Sequence, residues 1–229
     1  MSIAENLKEV QEAVASAAVD ANRSPEEVTL IAVSKTWPME LIQEAVDAGQ
    51  RAFGENKVQE ILEKVPAMAP ELRWHLIGHL QKNKTRKVLP LCAMIHSVDS
   101  LALAQQIDRI AGELELRPEI LLQVNVAGDE AKFGLAEGDV AEVVEQVESL
   151  KSVRLRGLMT VPAFDPNPEK VRPFFAALRK LRDRVVDQTG TELPELSMGM
   201  SHDFPVAIAE GSTLVRVGSS IFGKRDYSK

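Results

Sequence analysis

The sequence is short of several residue types, and each shortage excludes something. It holds a single cysteine, Cys92, so no internal disulfide can form. This fits a reducing compartment and makes Cys92 an expected small core residue. Aromatic residues make up only 4% of the chain, and the one tyrosine, Tyr227, stands near its end. Basic residues are outnumbered, 27 Lys and Arg against 34 Asp and Glu, and the net charge of −7 disfavours general nucleic-acid binding. The one basic run, QKNKTRK at 81–87, has no interleaved aromatics and reads better as a solvated loop or helix face than as an RNA patch. No apolar run is long enough to span a membrane, and no apolar signal region stands at the N-terminus. A cytoplasmic location is therefore expected. Composition breaks, long linkers and low-complexity segments are also missing, so one domain over residues 1–229 is expected. What is present is an ordinary globular balance, 45% hydrophobic and 27% charged over 229 residues. That length can build a sizeable core, and a single α/β barrel of this size is common.

The periodicity alternates between strand and helix. Ser2 and Glu5 make a capping box, and Ile3, Leu7, Val10 and Val14 follow at helical spacing, so an amphipathic helix opens the chain. Ser24, Pro25 and Glu27 repeat the start signal. Leu30 to Val33 form an apolar run of strand formers, too short for a buried helix and suited to a parallel strand covered on both faces. Further strands are expected at 51–54, 73–78, 94–98, 119–126, 153–160, 195–199 and 213–218. Helical spacing recurs between them, for example Leu41, Ile42, Ala45 and Val46, then Val140, Val143, Val144 and Val147. Eight strand candidates separated by seven helices predict a closed (β/α)8 TIM barrel, class α/β, with an extra N-terminal helix. The short strands at 51 and 195 carry the weakest signals, and loss of either would make an open sheet possible.

In such a barrel a ligand binds at the carboxyl ends of the strands. Lys35 directly follows the first strand. A lysine there can lose its charge by desolvation and act as a nucleophilic amine able to form a Schiff base. The same position suits a lysine that simply reaches water, which is the more ordinary case. Also at strand ends are Glu55, Asn56, His79, Asn125, Met159, Thr160, Met200 through Asp203, and Gly218 through Ser220. Barrel phosphate sites commonly follow strands seven and eight. SMGMSHD at 197–203 and RVGSSIFG at 216–223 stand there, and their small residues offer N–H groups and hydroxyls to a dianion. Two other patterns lead nowhere. GSSIFGK at 218–224 mimics a P-loop, but Arg225 occupies the Ser/Thr position and too little chain follows. His75 and His79 have zinc-ligand spacing, but Gly78 lies between them in a strand-to-loop segment, which argues against a metal.

The stretches LIAVSKTWP, FGENKVQE, WHLIGHLQKNK, RLRGLMT, SMGMSHD and STLVRVGSSIFGKRDYS together resemble the family of pyridoxal phosphate homeostasis proteins, in order and spacing over nearly the whole chain. That family is similar to the barrel domain of alanine racemase, the type III fold of pyridoxal phosphate proteins. The resemblance implies that Lys35 joins pyridoxal 5′-phosphate as a Schiff base. It implies that Ser201, Gly218 and Ser219 hold the phosphate, that Arg216 faces the pyridine nitrogen, and that Asn56 and Met159 line the pocket near the ring. Lys132 matches a recurrent family lysine, with no role that its residue type supplies. Read from its residue type alone, Arg216 is equally an interior arginine paired with a carboxylate. An arginine donates to a ring nitrogen without protonating it, which weakens the ring as an electron sink.

Three functions follow. The first is a non-catalytic protein that binds and buffers pyridoxal 5′-phosphate and passes it to apoenzymes, as a monomer. The second is an amino-acid racemase, which needs an acid–base group on each face of the substrate carbon. In alanine racemases the second base is a tyrosine supplied with help from an additional C-terminal domain, whereas this chain is expected to end after the barrel. The third is a class I aldolase, whose lysine usually comes from a later strand than the first.

Overall fold

The computed structural model describes residues 2–129 and 133–223. The expectations attached to Lys132, Lys224, Arg225 and Tyr227 fall outside these residues. Eight parallel strands close into a barrel in chain order: β1 Thr29–Val33, β2 Ala52–Glu55, β3 Arg73–Leu76, β4 Met94–Val98, β5 Glu119–Gln123, β6 Arg154–Met159, β7 Glu195–Met200 and β8 Leu214–Val217. The expected (β/α)8 barrel is the observed fold, and both short strands take their places in it. The main helices are α1 Ile3–Asp20, α2 Met39–Asp47, α3 Val58–Lys64, α4 Thr85–Val88, α5 Leu101–Glu113, α6 Val140–Glu148, α7 Arg172–Thr189, α8 Phe204–Ala209 and α9 Ser219–Phe222. The Ser2–Glu5 capping box is formed. No helix among the described residues is long and apolar enough to cross a membrane.

Two expectations need correction. The fifth strand stops at Gln123 rather than running to 126, because the chain turns at Asn125, whose side chain bonds Asp129 instead of a neighbouring strand. The helix through the basic run shrinks to four α-helical residues behind a 3-10 turn, with Thr85 and Val88 buried.

The barrel interior is layered. Ile31, Ala52, Met94, Leu121, Met159 and Leu214 form an apolar plug. Two residues further along their strands stand polar groups, His96 after Met94 and Arg216 after Leu214, both buried. Outside the strands, two larger apolar clusters glue the helices to the sheet, and α1 packs on α8 and α9 across the closure. Cys92 packs against one of these clusters, as expected of a core residue.

Register irregularities at β5/β6 and β7/β8 use glycine where backbones come close. Gly157 pairs with Leu121 and Glu195, and a Cβ there would lie 1.8 Å from the Glu195 carbonyl oxygen. Gly157→Ala is therefore expected to cost at least about 3 kcal/mol or prevent folding. Gly138→Ala, whose added carbon meets nothing within 4 Å, should stay within about 0.5 kcal/mol of the parent. Urea-unfolding midpoints of the two variants check this.

Candidate functional site

Closure of the barrel makes the site. β1 pairs with β8, Ala32 opposite Val217, so the chain segments leaving both strands emerge side by side. Gly218 presses on β1, and a Cβ on it would lie 3.2 Å from the Val33 carbonyl oxygen. At this mouth lies a cavity of about 600 Å³, within the usual range for a small-molecule site. Lys35, Asn56, Ser201, Arg216, Gly218 and Ser219 all line it. Six of the seven residues implicated by the sequence are thereby brought together. Met159 is the exception. It is fully buried in the apolar plug, and Val161, two residues on, reaches the cavity wall instead. The alternation of a strand puts residues 159 and 161 on one face but at different depths.

The turn after β1 is built to aim Lys35. Ser34 is buried and Lys35 half-buried, and Thr36 sits at φ 67°, a left-handed conformation unusual for a β-branched residue. The Trp37 N–H closes the turn onto the Ser34 carbonyl at 3.1 Å. The strained Thr36 amide donates to Glu60 Oε2 at 2.6 Å. Behind the turn, Lys64 is buried. Its ammonium donates to the Ser34 carbonyl at 2.9 Å, Glu55 Oε1 at 2.8 Å and Glu60 Oε2 at 2.7 Å. Ser34 Oγ donates to the same Glu55 oxygen at 2.7 Å. Burial pushes the Glu55 carboxyl up to about 7, against the opposing pull of Lys64 and Ser34. Glu60, also opposed by burial, is held below its ordinary range by Lys64 and the Thr36 amide. Glu55 thus lies beneath the lysine turn and not on the cavity wall.

Beside the lysine turn, Gly218 N–H donates to Ser201 Oγ at 3.1 Å, tying the two small-residue turns together. α9 begins at Ser219, and the first-turn amides of a helix have no intrahelical acceptors. Asp203 accepts the Met200 N–H at 2.6 Å and shapes the turn after β7. Arg216 is only 4% exposed. Its guanidinium donates to Ser197 Oγ and, at 3.0 Å, to the Thr160 carbonyl. Among the described residues it forms no ion pair, which decides against the interior arginine paired with a carboxylate. Burial lowers it to about 10, still cationic at neutral pH. A buried cation lining one cavity with a lysine, beside a cradle of serines and glycine, fits a phosphorylated aromatic aldehyde with a ring acceptor.

Other strand-end residues serve elsewhere. His79 stacks on Phe133 with ring centroids 4.3 Å apart and pairs with Asp99 at 3.2 Å. His75 points into the barrel, its Nδ1 2.9 Å from His96 Nε2, so the two histidines of the zinc-like spacing diverge. Asn125 and Thr160 line a separate cavity of about 250 Å³ with no charged residue among its described walls. Sequence reasoning missed Lys64, Glu60, Ser197 and His96. A lysine and a glutamate four apart on a helix look like a solvated pair, and nothing in spacing links residues 96, 197 and 216.

A lysine closing the first strand of a (β/α)8 barrel, with a small-residue cradle after the last two, defines a class of cofactor-binding barrel. Consistently, residues 2–226 match the family model for the N-terminal domain of alanine racemase. The chain is 42% identical over 228 residues to the pyridoxal phosphate homeostasis protein of Aquifex aeolicus, covering 99% of this chain and 100% of the relative. It is 44% identical over 237 residues to the protein of that name in Escherichia coli K12, covering 99% and 98%. PipY of Synechococcus elongatus PCC7942, solved with PLP bound, superposes with a TM-score of 0.87 at 42% identity, over 97% of this chain and 100% of that one. The chain belongs to the family of pyridoxal phosphate homeostasis proteins. Likeness in fold alone extends to the alanine racemase of Clostridium difficile 630, at TM-score 0.75 and 16% identity, of which the barrel covers 60%.

Two predictions follow from these networks. Lys64→Met should destabilise by about 3–5 kcal/mol, because it strands the Glu55 carboxylate in the interior. Adding Glu55→Gln to it should recover much of the loss, and a double-mutant cycle in urea measures the coupling. Burial pushes the His75 imidazole from 6.5 down to about 3. The unfolded chain therefore takes up a proton between those values that the folded chain refuses. The stability present above pH 6.5 is lost as pH falls. His75→Gln should show a shallower decline in unfolding midpoint between pH 7 and pH 5.

Proposed function

We propose that this cavity binds pyridoxal 5′-phosphate, with Lys35 as the covalent Schiff-base anchor, and that the protein holds and hands on the cofactor without strong catalysis of its own. Arg216 is the observation that carries this reading. It is a buried cation that forms no ion pair among the described residues, it lines the same cavity as Lys35, and it fits the ring nitrogen of an aromatic ligand whose phosphate rests on Ser201, Gly218 and Ser219. Asn56 borders the ring. The names of the relatives and the PLP-bound PipY support the same cofactor. When bound, the cofactor supplies an aldehyde for an amine and an electron-withdrawing ring. The residues of this chain bind and orient it. Arg216, a donor that does not give up its proton, leaves the ring nitrogen unprotonated and the ring a weaker electron sink. That suits retention better than carbanion chemistry. The reading includes a monomeric, cytoplasmic, single-domain protein over residues 1–229, with apoenzymes as recipients.

A racemase is the second reading, favoured by the fold it shares with alanine racemase. It requires a second base facing Lys35 across the ligand, a role filled in those enzymes by a tyrosine. No tyrosine stands among the described residues.

Purified protein mixed with pyridoxal 5′-phosphate should develop a visible absorbance band that borohydride removes, leaving a covalent adduct on Lys35 by mass spectrometry. Lys35→Ala should give only the spectrum of the free aldehyde. Identical spectra from the two proteins would refute the assignment. Robust interconversion of L- and D-alanine by the loaded wild type would establish the racemase instead.

A further inference from the structure

Beneath the cavity floor a line of polar groups leads inward from Arg216, and nothing in the holding of a cofactor by Lys35 and the phosphate cradle uses it. Arg216 Nη1–H donates to Ser197 Oγ. Ser197 Oγ lies 2.8 Å from His96 Nδ1, and His96 Nε2 lies 2.9 Å from His75 Nδ1. The imidazoles meet edge to face, centroids 5.1 Å apart and planes at 75°. Ser197 and His96 are fully buried and His75 is 2% exposed. Burial holds both rings neutral, His75 down to about 3 and His96 well below its ordinary value.

The order of protons follows from counting donors. A neutral imidazole has one N–H and one lone pair, and a hydroxyl has one O–H to give. Suppose His96 Nδ1 carried the proton and donated to Ser197. The hydroxyl proton would then have no acceptor among the described residues, where Ser197 Oγ is hydrogen-bonded to His96 and the donor Arg216 alone. His75 Nε2 would also keep an unmatched lone pair. In the opposite order Ser197 O–H donates to His96 Nδ1, and His96 Nε2–H donates to His75 Nδ1. One unmet group is left, the N–H on His75 Nε2, a buried nitrogen without a partner among the described residues. Unmet buried groups are costly, so this order prevails. It also turns each lone pair toward Arg216, so the dipoles of the line add up in favour of its charge.

We infer that Ser197, His96 and His75 form a neutral, proton-ordered relay that orients Arg216 and solvates its charge without neutralising it, making them positioning residues for the contact of Arg216 with the ring nitrogen of pyridoxal 5′-phosphate. The inference rests on the cofactor reading above. A carboxylate in place of Ser197 would hold the guanidinium equally well but would pair with its charge. Neutral acceptors fix its direction and leave the charge for the ligand.

The test has two arms. In cofactor-free wild type labelled with 15N-histidine, His96 and His75, assigned through His75→Gln and His96→Gln, should each show an unprotonated Nδ1 and a protonated Nε2. A protonated Nδ1 on His96 overturns the relay. In the second arm, Ser197→Ala and His96→Gln should keep the borohydride-sensitive band but shift its position. They should hold the cofactor about tenfold less tightly, the order seen when a group that orients a ligating side chain is lost. Unchanged band and affinity in both variants overturn the relay and leave the cofactor reading intact. If wild type itself gives no band, the cofactor reading fails and the ring contact with it, and the nitrogen spectra still decide the proton order. Should either variant not fold, the wild-type spectra carry the decision.

Discussion

The pairing of β1 with β8 is the constraint on which the rest of the structure depends. Without closure, Lys35 and the residues around Gly218 would sit at opposite edges of an open sheet. With it, Ile31 stands opposite Arg216 and Ala32 opposite Val217, and the chain leaves both strands at one point of the barrel mouth. Gly218 allows the final approach, since a side chain there would press on Val33. The long helix α1 packs against α8 and α9 on the outside of this seam. Residues far apart in sequence, among them Asn6 bonding the Ile221 carbonyl at 2.9 Å, fasten the seam from without. Closure thus supplies both the fold and the meeting of Lys35 with the small-residue turns of Ser201 and Gly218.

Two buried cations flank that mouth, and they meet the cost of desolvation in opposite ways. Lys64 is surrounded by a buried and a half-buried carboxylate and a carbonyl. Its charge is consumed locally, and its role is architectural. Arg216 is given a hydroxyl and a carbonyl, both neutral. Dipoles lower the energy of a buried charge without cancelling its field. The difference separates a structural cation from one available to a ligand, and it requires no comparison with other proteins to see.

Much of this was legible in the sequence, and the reasons are physical. Parallel strands covered on both faces must be apolar throughout, so runs such as Leu30–Val33 and Ile120–Leu122 announce themselves. Lys35, Asn56, Ser201, Arg216, Gly218 and Ser219, which line one cavity, stand out in the sequence because strand ends in a barrel are where ligands bind, and because a family resemblance picks them out. Depth was not legible. Met159 and Val161 share a face, and only the three-dimensional stagger of strands shows which one reaches the cavity. Glu55 looked like a mouth residue for the same reason. Nor was pairing across the interior legible. His75, His96 and Ser197 come from three strands, and no spacing rule joins them. Lys64 was hidden by its helix, where a charged residue four after Glu60 passes for a surface pair.

The strain at Thr36 explains why the lysine turn needs so much support. A β-branched residue at φ 67° costs on the order of 1–3 kcal/mol, and such a conformation persists only where its surroundings overdetermine it. Here they do. The Thr36 amide is claimed by Glu60, Glu60 by Lys64, and Lys64 by Glu55 and the Ser34 carbonyl, so the turn is clamped on both sides of Lys35. The clamp is local. It touches β1, β2 and α3 and leaves the other six strands alone. Loosening it would release Lys35 from its aim before it opened the barrel, since an amine on a relaxed turn has many directions and the cavity accepts few. The buried ion network therefore sets the direction of one side chain as well as contributing to global stability, and part of its desolvation cost is the cost of aiming that lysine into the cavity it shares with Arg216.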